Sequence, residues 1–217
     1  MEVAMETERR SRAERREEID HALVHAARHC VAEKGPDVSI HDVAREAGVS
    51  VGTVYNHFES KNDLFAATAV RSFVDFSGWA EPALAKIDDP ALRLATFGRF
   101  MTRMPDTHLE HAHVIWHTQR FVWGPKYRES EEGELERDVR EGIEVGRFDP
   151  YLMEAKITTI LGAMLHFIGL RILHPRIPAK AGDDVIEIVM GVLGLSSKEA
   201  HEISHCKLPR RPPVLSN

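Results

Sequence analysis

The chain has 217 residues, of which 43% are hydrophobic and 29% charged, the balance of an ordinary folded protein and not of a disordered one. That length holds one sizeable core, or a small module on a larger one. The formal net charge of −6 argues against binding nucleic acid through bulk charge, so any such role rests on where the cations are placed.

They are placed unevenly. Arg9, Arg10, Arg12, Arg15 and Arg16 put five arginines in eight residues. Residues 1–14 read in two ways, as a basic arm that follows phosphates or enters a minor groove, and as a disordered solubilising tail. The first twenty residues contain no apolar stretch of the secretory kind. Cys30 and Cys206 are the only cysteines, too few for a disulfide framework and too far apart for a zinc spacing. The expected location is the cytoplasm.

The first predicted helix, about Arg15 to Glu33, carries Ile19, Leu23, Ala26, Cys30 and Val31 at helical spacing and ends at Gly35 and Pro36. Ser39 then opens a second helix, with Asp42 at capping-box spacing. Ile40, Val43, Ala44 and Ala47 follow at i, i+3, i+4 and i+7, one apolar stripe. Gly48 stops the helix, Val49 sits inside the turn, and Ser50 caps a third helix from Val51 to Phe58. Val54 and Phe58 face inward on that helix. Gly52, Thr53, Tyr55, Asn56 and His57 are left on its other faces, nearly all of them hydrogen-bonding types. Ser60 with Asp63 makes a further capping box, and Lys61 lies in the first turn it opens, where amides and a cation together favour a phosphate.

Two short helices joined by a glycine turn, with the second presenting a polar face, form the pattern of a helix-turn-helix DNA reader. Thr53 and Asn56 can reach base edges, and Tyr55 and His57 can donate to phosphate oxygens. Ser50, Val51 and Gly52 join the base-facing set, Lys61 joins the phosphate-facing set, and Ser39, His41 and Arg45 are further candidates for DNA contact.

Residues Arg15 to Val70 resemble the N-terminal DNA-binding domain of the tetracycline-repressor (TetR) family, through Asp42, Val43, Ala44, Ala47, Gly48, Val49, Ser50, Thr53, Tyr55, His57, Phe58, Lys61, Leu64 and Phe65. The resemblance implies an all-helical homodimer that binds a pseudo-palindromic double-stranded operator and releases it when a small molecule enters the C-terminal domain. Asn56 departs from the aromatic or basic residue that many members carry there. The expected organisation is a basic arm over 1–14, the DNA-binding domain over 15–62, an effector-binding and dimerisation domain over 63–205, and a disordered tail over 206–217.

A long helix from Ser60 to about Ala80, with Phe65, Ala69, Phe73 and Phe76 along one side, links the module to the rest. Asp89 and Pro90, a cap followed by proline at the first helical position, start the next helix, which stops before Pro105. Asp106 is the expected cap of another, reaching about Val122. A charged helix from about Tyr127 to Val145 turns Leu135, Val139, Gly142 and Gly146 inward. Asp149 and Pro150 repeat the cap-plus-proline device ahead of a long apolar helix to Leu173. A last helix runs from about Asp183 to Leu195. The apolar run within that long helix, Ile157 to Leu173, is below the length that argues a membrane span and is interrupted by Gly162, His166, Gly169 and Arg171. It is apolar nearly all round, so a partner chain is expected to cover it, giving a homodimer through helices 151–173 and 183–195 with no membrane involved.

Between residues 97 and 123 large apolar side chains and imidazoles are concentrated. Phe97, Phe100, Met101, Met104, His113, Trp116, His117 and Phe121, with Phe167 from the apolar helix, are the candidate lining of an effector pocket; the alternative is that they fill a helical core. His113 and His117 stand at i and i+4, a spacing that also suits a transition metal, with Glu110 within a turn. His166 reads as a core or interface histidine. The sequence carries no G-x-S-x-G, phosphate-binding glycine loop or H-E-x-x-H, so an enzyme is not expected, nor any cofactor. An architectural DNA binder without an effector is the remaining rival.

Overall fold

The structure is a computed structural model and describes residues 2–122 and 134–210. Every regular element among them is helical, so the all-helical expectation holds. Helix α1 spans Glu2–Lys34. It begins well before Arg15 because residues 2–34 contain neither glycine nor proline and are rich in Ala, Glu and Arg. Residues 2–14 are thus a helical extension and not a loose arm. Gly35, at φ +64°, ends the helix in a 3-10 turn over Gly35–Asp37.

Helices α2 (Ile40–Glu46) and α3 (Val51–His57) cross over Gly48, whose φ of +66° closes the turn. Leu23, Cys30, Val31, Val38, Val43, Val54, Leu64 and Phe65 close one core. Helix α4 (Lys61–Leu84) starts in that core and ends in a second one with Phe76, Trp79 and Ala80. One continuous helix thus joins the two cores, as the sequence implies.

The larger core is built by α4 with α5 (Pro90–Thr102), the short α6 (Met104–Thr107), α7 (Leu109–Val122), α8 (Glu134–Glu144), α9 (Met153–Leu173), α10 (Ala181–Val192) and α11 (Ser197–His205). Asp89 caps α5 as expected, accepting from the Ala91 amide at 3.2 Å. Asp106 does not cap α7. It lies inside α6, where its carboxylate takes both terminal nitrogens of Arg171 at 2.9 and 2.7 Å. Asp149 does not open α9 either: it accepts from the Tyr151 amide, and the cap position falls to Leu152 at φ 55°. In both cases a nearby cation takes the carboxylate, Arg171 for Asp106 and Lys156 for Asp149. Of the charged helix expected over 127–145, residues 127–133 lie outside the described residues, as do 211–217 of the expected tail. Helix α10 ends at Val192, and α11, absent from the sequence expectation, follows under a Ser196 cap.

Two close approaches fix the packing. A Cβ on Gly169 of α9 would stand 2.2 Å from the Trp116 ring, and one on Gly182 would stand 2.4 Å from Thr102. Asp183 on α10 sits between Arg99 of α5 and Arg103, the residue that caps the end of α5, with guanidinium contacts of 2.8 and 2.9 Å. Burial pushes its carboxyl up, but the hydrogen bonds from Arg103 and Arg99 outweigh that and hold it below the usual carboxylate range. By length and composition α9 could cross a membrane, yet half of its most apolar stretch is buried within the chain. Its outer face, Ala155, Thr159, Gly162 and His166, is exposed, and Leu173 and Ile188 next to it are 63% and 68% exposed.

Candidate nucleic-acid interface and its junction with the C-terminal domain

The geometry of the reading head follows from its caps. Ser39 and Asp42 close a full capping box: the Asp42 amide donates to Ser39 Oγ at 3.2 Å and the Ser39 amide to Asp42 Oδ2 at 3.0 Å. Lys34 and Arg45 both donate to Asp42 Oδ1. With Lys34 foremost and Ser39 next, these donors hold the Asp42 carboxyl far below the usual carboxylate range. Ser50 caps α3 through the Thr53 amide at 3.0 Å, and the Ser50 and Thr53 hydroxyls share a hydrogen bond of 2.9 Å. The two hydroxyls are therefore oriented before any ligand arrives.

Gly52, Tyr55 and Asn56 are exposed on α3, with Tyr55 at 54%, while Val51 and Thr53 are half-buried. His41 and Arg45 are exposed on α2, and Ser39 is half-buried. His57 is engaged: its Nδ1 lies 2.6 Å from Asp20 Oδ1 on α1, which leaves Nε2 for any outward contact. Lys61 places its ammonium 5.2 Å from the Phe65 ring centre in the first turn of α4. The head thus turns one face of hydroxyl, phenol, amide and imidazole groups outward.

The effector-lining candidates divide. Phe97, Phe100, Met101 and Met104 are fully buried in the larger core, and Phe167 is nearly so. Around them Phe76, Trp79, Phe97, Phe100 and His108 form one aromatic cluster with ring centres 4.5 to 5.9 Å apart. Trp116 lies against α9, its ring 5.9 Å from His166. The side chain of Phe121 lies outside the described residues. His117 goes elsewhere: its ring abuts Gly35 of the 3-10 turn, at the junction with the DNA-reading module. The His113 ring is 5.7 Å from that of His117. Burial pushes both imidazoles down and so keeps them neutral. No third His, Cys or carboxylate donor among the described residues gathers around them.

What the sequence did not reveal is the junction itself. Helix α7 sends Val114 into the small core and Ala112 and Ile115 into the large one. Arg28 of α1, 9% exposed, reaches Asp75 of α4 at 3.1 Å and His111 Nε2 of α7 at 3.1 Å. Its Nε approaches Glu110 at 3.9 Å. Glu110 also bonds His29, which raises the pKa of that imidazole. The available signal was an arginine set among Ala26, Ala27, Cys30 and Val31, where an apolar residue would be ordinary.

A separate polar cavity of about 350 Å³ lies where α4, α5 and α8 meet, between Glu81, Asp88, Arg93, Arg137, Asp138 and Glu141.

Residues 23–68 match the family model for bacterial regulatory proteins of the tetR family, and residues 89–206 match the tetracyclin repressor-like C-terminal domain. Among solved structures, RolR in complex with resorcinol is 25% identical over 92% of this chain and 99% of its own, with a TM-score of 0.66. A TetR family transcription regulator from Marinobacter aquaeolei VT8 shares 19% identity over 83% and 98%, with a TM-score of 0.62. FadR from Bacillus subtilis in complex with stearoyl-CoA shares 19% over 81% and 99%, with a TM-score of 0.59. Among curated proteins no match is found.

The junction yields a pH prediction. His111 is held down to about 4, first by burial and then by the Arg28 charge beside it, against the opposing pull of Asp75 and Glu110. The unfolded chain takes up that proton near pH 6.5 and the folded chain does not, so stability is complete above pH 6.5 and falls as the pH drops toward 4. The loss at pH 5 is on the order of 2 kcal/mol. Urea unfolding at pH 5.0 and 7.5 should show it, and His111→Asn should flatten the difference.

Proposed function

Because the chain belongs to the tetR family of bacterial regulatory proteins, we propose that it is a repressor, a dimer that binds a pseudo-palindromic operator and lets go when a small molecule enters the C-terminal domain. The observation that carries this reading is the outward polar face of α3, held by three side-chain caps at Ser39, Ser50 and Ser60. In the proposed complex Ser50, Val51, Gly52, Thr53 and Asn56 face bases. Tyr55, His57 donating through Nε2–H, and Lys61 hold phosphates, with Ser39, His41 and Arg45 alongside.

Two reading heads must stand about 34 Å apart to enter successive major grooves. The exposed stripe of small residues on α9 and the exposed Ile188 on α10 support an isologous four-helix interface through these helices. The effector would lodge among Phe97, Phe100, Met101 and Met104, where methionines can re-pack around it. The aromatic cluster beside them, and the likeness to RolR with resorcinol, support a small hydroxylated aromatic as its class. Displacing α7 would then act on α1 through Val114 and the Arg28 contacts, changing the spacing of the heads.

DNA selected from a random pool supplies the operator for the decisive comparison. Tyr55→Phe is expected to weaken binding to all sequences alike, whereas Asn56→Ala relaxes discrimination at one base pair per half-site, by about 1–3 kcal/mol. Equal loss of specificity from both would contradict the roles. Ile188→Glu should sediment as a monomer at micromolar concentration and bind the palindrome no better than a half-site; a dimeric variant would move the interface elsewhere. For the effector, monocyclic phenols are expected to raise the operator Kd at fixed salt, and Met101→Trp to abolish the response while operator binding persists. Release by long-chain acyl thioesters alone would overturn the proposed class.

A further inference from the structure

Helices α10 and α11 bring together a set of donors that plays no part in the reading above. Asp184 and Glu187 lie one turn apart on α10, and His201 and His205 lie at i and i+4 on α11. Glu187 Oε2 is 2.9 Å from His201 Nδ1 and 2.9 Å from His205 Nε2. Asp184 Oδ1 stands 3.7 Å from His205 Nε2. The two imidazoles stack with their centres 4.4 Å apart. One donor atom from each of Glu187, His201 and His205 falls within 4.8 Å of the others.

We propose that Glu187, His201 and His205 bind a divalent transition-metal ion of the zinc, cobalt and nickel class, with Asp184 or water completing the shell. A four-coordinate ion with bonds of about 2.0–2.2 Å sets its donors roughly 3.3–3.6 Å apart. The present spacings bracket that value, so side-chain rotation alone opens the site. Two imidazole nitrogens with a carboxylate form a borderline donor set, which favours these ions over magnesium or calcium. The His201 side chain is 62% exposed, so an ion reaches the site from solvent.

The ion would clasp α11 to α10, the helix that carries Asp183 inward and Ile188 outward. Binding itself does not depend on the dimer or the operator.

The test uses full-length, tag-free protein stripped of metal. Cobalt titration should give a saturable visible spectrum at one ion per chain, and zinc should raise the melting temperature. The double variant His201→Ala/His205→Ala, altered at the chain surface, should lose the spectrum, the thermal shift and at least a hundredfold of affinity, while His113→Ala/His117→Ala keeps all three. Absence of saturable uptake, uptake unchanged in the first variant, or uptake lost in the second would each overturn the proposal.

Discussion

The Arg28 guanidinium is the contact on which the arrangement of the two cores depends. A cation so nearly enclosed is tolerable only with its charge answered, and breaking one side of such a pair costs about 3–5 kcal/mol. Asp75 answers it from α4, and a second arginine, Arg71, braces that carboxylate at 2.7 Å. His111 of α7 offers a nitrogen to the same guanidinium, which it can do only while neutral. Three helices therefore meet at one charge, one from the DNA-reading module, one from the C-terminal body, and α4 belonging to both.

This constraint gives α7 its position in the molecule. On one side it meets α1 and the 3-10 turn through Val114, Glu110 and His117. On another it meets α9 through Trp116, at a glycine that leaves room for nothing else. A shift of α9 or of the core between α5 and α7 cannot be absorbed locally, because close-packed interiors transmit displacement where a looser one would damp it. The route from the C-terminal core to the reading head thus consists of contacts that exist in the folded chain, and α4 supplies a second, parallel one.

Much of this was legible in the sequence wherever a local signal is also the structural cause. Ser39 with Asp42, Ser50, Ser60 and Asp89 all cap the helices that their spacing announces, because a cap satisfies neighbouring amides and needs no distant partner. Asp106 and Asp149 carry the same local signal, yet distant or later cations, Arg171 and Lys156, claim them. The sequence placed a helix up to about Val122 but could not say which partner each of its faces would meet. His117, grouped with Phe97 and Met101 by nearness in sequence, therefore went to the junction and not to the core. Helix α11 was passed over because its residues are mostly polar, with Ala200 and Ile203 its only apolar ones, although Ser196 and Glu199 stood at cap spacing throughout.

The charge balance of the reading head bears on how an acidic chain meets a polyanion. Lys34 and Arg45 are both drawn to Asp42, and Glu46 and Glu59 lie exposed close by. Lys34 of α1 and Arg45 of α2 are thus paired within the module, and α3, which contains no lysine or arginine, turns hydroxyl, amide and phenol outward. In the proposed complex such a face would recognise shape and hydrogen-bond pattern while releasing few counterions, so the salt dependence it contributes would be shallow. The Arg9 to Arg16 cluster is placed differently, on a helix that continues α1 beyond the module, with Arg15 and Arg16 exposed. In the proposed complex, long-range attraction to DNA and the reading of its bases would fall to separate parts of the chain, joined by one continuous helix that also carries Arg28.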